Sequence, residues 1–301
     1  MLRAINNNDF QYLLDLGAID NDIDMNFPVT SDGITPLMLA CSFGNKIIMQ
    51  VIIKNKLTDR EIKDKHGFNS LYYATFYGHS HIVAELGKRE VPYEVSYCGT
   101  TCLHIAAKKG FKDVIDIFLN YKSKYEGSWK PYHQWDTAID VNARKNHKKG
   151  LGVTPAFLSA KNGCLEVFKM LHEYGSLIEG VKCGIGGNQD LEPIHIAAKK
   201  GNHKIIEYIL KQSSNSKNLV DIAIEHTLSG PIHLAAYEGH HDCIIALLEA
   251  GAQPFLKNKF GDTFMHIAIR HGQLECMKVV HQYMVEKLNL EGEYPLDIEN
   301  Y

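Results

Sequence analysis

Four histidines, His104, His195, His233 and His266, are the residues of this chain best suited to hold a metal or move a proton. Cys98 and Cys102 lie beside His104 and begin a zinc-like donor set, but no second pair follows at ligand spacing. Gly184-Ile185-Gly186-Gly187 has the glycine content of a phosphate cradle, yet no predicted strand precedes it and no βαβ pattern surrounds it. No Ser/His/Asp or Cys/His set stands apart from the stretches that carry the histidines. The residues therefore point away from an enzyme, and they call for no cofactor, metal or small-molecule substrate.

What positions the histidines is a repeated unit. Thr263-Phe264-Met265-His266-Ile267-Ala268 leads to Gly272, and Thr101-Cys102-Leu103-His104-Ile105-Ala106 to Gly110. Glu192-Pro193-Ile194-His195-Ile196-Ala197 precedes Gly201, and Gly230-Pro231-Ile232-His233-Leu234-Ala235 precedes Gly239. Thr35-Pro36-Leu37-Met38-Leu39-Ala40 before Gly44 is a fifth copy. Asn69-Ser70-Leu71-Tyr72-Tyr73-Ala74 before Gly78 and Thr154-Pro155-Ala156-Phe157-Leu158-Ser159 before Gly163 complete seven, each with the Gly nine positions after the Thr slot.

Each copy reads as a helix. Thr caps free N–H groups, Pro at the first helical position forfeits no hydrogen bond, and Gly closes the helix in a left-handed conformation. A second helix follows. Four, five and eight positions after each Gly stand Ile48/Met49/Ile52, Ile82/Val83/Leu86 and Val114/Ile115/Phe118. The series continues as Val167/Phe168/Leu171, Ile205/Ile206/Ile209, Cys243/Ile244/Leu247 and Cys276/Met277/Val280. Every one is apolar, which draws a stripe at helical period that a lone helix pair cannot bury. The units must stack.

The landmark glycines are 34, 32, 53, 38, 38 and 33 residues apart. A period near 33, with a core similar to Gly-x-Thr-Pro-Leu-His-x-Ala-Ala-x-x-Gly-His, resembles the ankyrin-repeat family over nearly the whole chain. The resemblance implies an all-α ankyrin-repeat solenoid of seven recognisable repeats plus terminal half-repeats. Each repeat would carry a β-hairpin finger and two antiparallel helices around a concave face. It also implies that the motif histidine ties hairpin to helix start by hydrogen bonds. On this reading 1–301 is one domain, with an N-terminal cap over 1–30, repeats over 31–119, an insert over 120–150, repeats over 151–290 and a truncated repeat or cap over 291–301.

Two departures stand out. The interval ending at Gly163 exceeds the period by about twenty residues, and the excess holds Trp129, Tyr132 and Trp135. Trp and Tyr are favoured at interfaces, so this insert is a candidate binding element; the alternative is that its tryptophans fold back over a repeat edge. The next two intervals are each about five residues too long, and one contains Lys182-Cys183-Gly184-Ile185-Gly186-Gly187, a flexible loop by composition.

By resemblance, the two residues before each landmark Gly face the concave groove. They are Ser42/Phe43, Phe76/Tyr77, Lys108/Lys109, Lys161/Asn162, Lys199/Lys200, Tyr237/Glu238 and Arg270/His271: aromatic first, then lysine-rich, then mixed. Such a groove suits another protein with an acidic and aromatic segment. Asp140-Val141-Asn142-Ala143 is similar to the site at which ankyrin proteins are hydroxylated on Asn, which marks Asn142 as a modification candidate, although Gln134 stands where that pattern has Leu.

Composition bounds the rest. The 301 residues are 45% hydrophobic and 22% charged, with a formal charge of −3. That balance gives no global attraction for nucleic acid or anionic membrane, no recognised nucleic-acid module is present, and no apolar run approaches the roughly 18 residues of a membrane span. Seven cysteines, several at core positions of helices, suggest a reducing compartment and hence a cytoplasmic location. Arg144-Lys145-Asn146-His147-Lys148-Lys149 has the composition of a nuclear signal or of a solvated loop exit. The expected function is a non-catalytic protein-interaction scaffold. The alternative is the ankyrin segment of a larger channel, acyltransferase or signalling protein, for which the unfinished helix after Gly292 is the motive.

Overall fold

The computed structural model describes residues 24–87, 99–125, 139–147, 150–185 and 188–288. Among them, seven helix pairs follow one another. They are α1 (Pro36–Ser42) with α2 (Lys46–Lys54), α3 (Ser70–Phe76) with α4 (Ser80–Gly87), and α5 (Cys102–Lys109) with α6 (Lys112–Tyr125). Then come α7 (Pro155–Asn162) with α8 (Leu165–Glu173), and α9 (Pro193–Lys199) with α10 (His203–Gln212), followed by the short α11 (Ser216–Leu219). The last pairs are α12 (Pro231–Glu238) with α13 (His241–Glu249) and α14 (Phe264–Arg270) with α15 (Leu274–Leu288). Every inner helix starts one residue after its Thr slot, and every outer helix two residues after its Gly.

The starts are capped as their residue types dictate. Thr35 Oγ1 accepts from the Met38 N–H at 3.4 Å, and Thr154 Oγ1 from that of Phe157 at 3.3 Å. Asn69, the replacement in the second copy, accepts from the Tyr72 N–H at 3.0 Å. Each such cap contributes about 1 kcal/mol.

The helix-ending glycine has a second reason to be there. At Gly44 (φ +70°) a Cβ would stand 2.6 Å from Nδ1 of His79, whose Nε2 donates to the Ser42 carbonyl at 2.9 Å. At Gly201 (φ +78°) the same atom would stand 2.9 Å from Nδ1 of His240. The residue after one landmark thus lies against the landmark of the repeat before it. Conformation and stacking both forbid a side chain there.

The chain divides into two compact units, one of residues 1–159, 166–176 and 185–187, the other of 160–165, 177–184 and 188–301. In the first, α1 packs on α3 and α3 on α5, with α4 against α6 on the outside. In the second, α9 packs on α12 and α12 on α14, with α10, α13 and α15 in sequence behind them. The predicted stripe is the core of both. Ile82, Val83, Leu86, Phe168, Ile206 and Leu247 are completely buried, and of the whole stripe Met277 alone is half-exposed. Met277 belongs to the last described pair, over which no further described helix packs.

The long intervals resolve into local structure. Of the 182–187 stretch, a flexible loop by composition, Cys183–Ile185 form strand β3, paired to β4 (Asn188–Leu191), while 186–187 lie outside the described residues. The extra residues of the next interval form α11, anchored by buried Leu219 and Val220. In the 120–150 stretch, Asn120–Tyr125 continues α6, and β1 (Lys145–His147) pairs antiparallel with β2 (Gly150–Val153). Lys145, which the sequence places at a solvated loop exit, is opposite Val153 in that hairpin.

Candidate interaction surface

The motif histidines fix the inner helices to the fingers. His195 Nδ1 accepts from the Glu192 N–H at 3.2 Å, while Nε2 donates to the Ile222 carbonyl at 2.9 Å. His233 repeats this between the Gly230 N–H (3.1 Å) and the Leu256 carbonyl (3.0 Å), and His104 between Thr101 (3.3 Å) and Val153 (2.9 Å). His266 Nδ1 faces the Thr263 N–H at 3.3 Å. One bond needs a bare Nδ1 and the other a protonated Nε2, so His104, His195 and His233 are neutral. Burial enforces this: desolvation lowers the pKa of His104 and of His195 to about 4, and lowers that of His233. With both ring nitrogens engaged, these three offer a metal no lone pair.

The cysteines are no better placed for chemistry. Desolvation raises the Cys102 and Cys243 thiols to about 12 and Cys276 to about 11, and pushes Cys41 and Cys164 up as well. Thiols so held are not nucleophiles at neutral pH. Among the described residues no group of three or more His, Cys, Asp or Glu side chains could hold a metal ion, and no helix is long and apolar enough to cross a membrane. Cys98 lies outside the described residues.

In the first unit the groove candidates come together around α3. Phe43 and Tyr77 are each 54% exposed, a high value for aromatic side chains. Phe76 is half-buried, and the Lys109 ammonium sits 4.4 Å from its ring centroid. Two residues outside the groove pairs join it. Tyr72 stacks on Phe68 at 3.7 Å and on Phe76 at 5.7 Å between centroids, a row that runs from the finger to the helix end. Tyr73 donates to Asp64 Oδ2 at 2.7 Å, and Asp64 Oδ1 accepts from the N–H groups of His66 and Phe68, which fixes the finger carrying that row. The sequence carries a signal for the row in the spacing 68, 72, 76. Tyr72 hides it by filling the histidine slot, where a structural tether is expected. Lys108 is exposed beside Lys109 on α5.

In the second unit the candidates are more dispersed. Lys200 is exposed, Lys161 and Lys199 are half-buried, and Tyr237 stands 4.1 Å from the His271 ring. Arg270 is exposed but already paired. Its Nη1 and Nη2 donate to the two oxygens of buried Asp262 at 2.7 Å each. The same slot thus carries a neutralised pair. Trp129, Tyr132 and Trp135 lie outside the described residues. Asn142 is held at both ends of its amide, donating to the Gly175 carbonyl at 3.2 Å and accepting from Ser176 Oγ at 3.3 Å.

Capped helix pairs joined by fingers and stacked, within each unit, through an apolar stripe define a helical repeat protein. Family profiles of ankyrin repeats match residues 1–95, 136–221 and 176–255 (three copies), 232–281 (many copies) and 98–124 (one repeat), and the chain belongs to the ankyrin-repeat family. Ankyrin repeat protein nuc-2 of Neurospora crassa is 26% identical over 262 residues, which cover 81% of this chain and 24% of that one. The human transient receptor potential cation channel subfamily A member 1 is 23% identical over 293 residues, covering 86% and 24%. The chain therefore spans about a quarter of the length of these relatives. Among solved structures, the human ASB11 ankyrin repeat domain aligns with a TM-score of 0.58 at 17% identity, covering 80% of this chain and 97% of that one. The Bcl-3 ankyrin repeat domain aligns at 0.57 and 20%, covering 82% and 100%. Ankyrin repeats generally mediate protein–protein interaction and are generally non-catalytic.

Proposed function

We propose that this chain is a non-catalytic interaction module that binds a protein segment with acidic and aromatic residues along its inner-helix faces and the 120–150 insert, in a reducing, cytoplasmic setting. The observation that carries this reading is the surface of α3. Solvent-facing Phe43 and Tyr77 flank a stacked aromatic row that Lys109 covers with a cation. Rigid aromatics lose little conformational entropy on binding, and the adjacent lysines favour carboxylates. The test is affinity capture from the native cell with wild-type chain and with a Phe43→Ala/Tyr77→Ala double variant. The two substitutions are exposed, so stability should hold while the main captured protein falls at least about tenfold. Equal capture by both chains sinks the aromatic face as the site. The same comparison with Trp129→Ala/Trp135→Ala tests the insert.

A second reading is favoured by one finding, the quarter-length coverage of the relatives, one of which is a cation channel. On it, the chain is the ankyrin segment of a larger protein, such as an ion channel, an acyltransferase or a signalling protein. Reading the transcript on both sides of this sequence separates the two: an open frame that stops on both flanks removes the second.

A further inference from the structure

Two residues before the Thr slot, six of the seven fingers turn through a left-handed backbone, Gly152 being the exception. Gly33 (φ +85°), Gly67 (φ +82°), Gly99 (φ +69°) and Gly261 (φ +82°) occupy that position. In two consecutive fingers of the second unit it is taken by Asp190 (φ +73°) and Leu228 (φ +51°) instead. An aspartate visits this region at modest cost because its short polar side chain bonds locally, but a leucine has no such compensation. Burial does not supply it either, since Leu228 is 49% exposed. The turn is nonetheless held firmly, with the Leu228 N–H on the Ile224 carbonyl at 2.8 Å and the Ile224 N–H on that of Ser229 at 3.1 Å.

The next finger adds a second exposed apolar residue. The Lys259 N–H donates to the Thr227 carbonyl at 2.9 Å, so the residues that follow, Leu228 and Phe260, stand at adjoining turn tips. Phe260 is 74% exposed, the largest value among the large hydrophobic side chains described. The acidic groups of these fingers are already engaged: Glu225 with Lys182, Asp262 with Arg270, and Asp221 with the Gln253 N–H. Lys257 and Lys259, both exposed, set the sign of the charge around Phe260.

We infer that the Leu228–Phe260 fingertips are a docking surface for a protein segment with an aromatic or leucine anchor flanked by carboxylates. This face is distinct from the inner-helix faces and adds a second point of attachment. Strain at Leu228 is retained because the turn aims an apolar side chain outward where glycine presents none, and Lys257 and Lys259 select acidic flanks.

The test uses the full chain, immobilised, and three pools of twelve-residue peptides with a central Trp, Phe or Leu. Flanks are Asp/Glu, Ser or Lys, and the remaining positions are degenerate. The acidic pool should be retained above the other two. Measured on a Phe43→Ala/Tyr77→Ala background, which removes the share held by the α3 surface, Phe260→Ala and Lys257→Glu/Lys259→Glu should each cut its retention at least tenfold. Leu228→Gly should lose retention while the melting temperature holds or rises, because the left-handed turn is relieved. A fall in melting temperature would show that Leu228 serves packing and would overturn the inference. So would equal retention of all pools, or retention lost only in the Phe43/Tyr77 variant; the latter would leave the α3 surface standing and the fingertips without a role. Anionic vesicles of phosphatidylcholine and phosphatidylserine, bound in a Phe260-dependent way in place of peptides, would also overturn it.

Discussion

Two rows of residues in equivalent positions solve the same local problem by opposite means. In the first unit, Phe68, Tyr72 and Phe76 climb from the finger along α3 as a stack of rings. In the second, Asp262, His266 and Arg270 hold the same three slots around α14, and the ends of the row are joined by a two-pronged ion pair. Both rows couple finger to helix. Only the aromatic one leaves the inner face apolar and cationic, whereas the ionic one cancels its charge within the repeat. The repeat motif therefore tolerates wide variation at slots that lie between core and solvent, and that variation is what distinguishes one face from another.

The largest expected effect tests the middle slot. His104 and His195 have folded pKa values of about 4, below the usual 6.5, so the unfolded chain binds protons more readily. Their contribution is complete above pH 6.5 and is lost as pH falls toward 4, by about 3 kcal/mol for each histidine. Met38 and Tyr72 take up no proton in that range. Hydrogen exchange followed from pH 7 to 4 should show α5 and α9 loosening before α1 and α3. Simultaneous loosening would mean that the histidine slot is not what sets acid stability.

Somewhat smaller is the cost of replacing the tether itself. His195→Phe, which copies the residue that stands in this slot at Phe157, orphans the Glu192 N–H and the Ile222 carbonyl and should cost about 2–4 kcal/mol at pH 7. The same variant should flatten the acid dependence, which urea titrations at pH 7 and 5 would read. An unflattened profile would assign the dependence to other groups.

Next comes the ionic row. Arg270→Met leaves a carboxylate that is 7% exposed without its cation and should cost about 1–3 kcal/mol. Asp262→Leu/Arg270→Met should recover most of that loss by turning the row apolar, as the first unit has it. A double variant no better than the single one would show that the two rows are not interchangeable.

The smallest effect is a gain. Ser70 fills the slot where four other copies have proline, and its buried hydroxyl has no hydrogen-bond partner. Ser70→Pro should raise stability by about 0.5–1 kcal/mol, measured as a higher melting temperature. A lower one would mean that the α3 start departs from its neighbours.

Helix positions, their caps and the buried stripe are all legible in the chain, because each follows from periodicity and from residues whose backbone preferences are local. Ile205 and Ile206 are buried on a helix as their spacing requires. The charge state of the groove is not legible. Arg270 counts as a cation in any one-dimensional map, and only folding brings Asp262 within 2.7 Å of it. The aromatic row is only half legible: the spacing 68, 72, 76 hints at it, but Tyr72 stands in the histidine slot, and only the fold shows its ring stacked on Phe68. Leu228 reads as an ordinary loop leucine until its φ of +51° is known.

The sequence by itself determined the repeat, its register and its core, for an apolar stripe at helical period has one way to leave water. Tertiary structure alone decided which polar groups are spent inside the molecule and which remain outside it. That allocation depends on distances between residues of different elements, a finger and a helix, and periodicity carries no record of them.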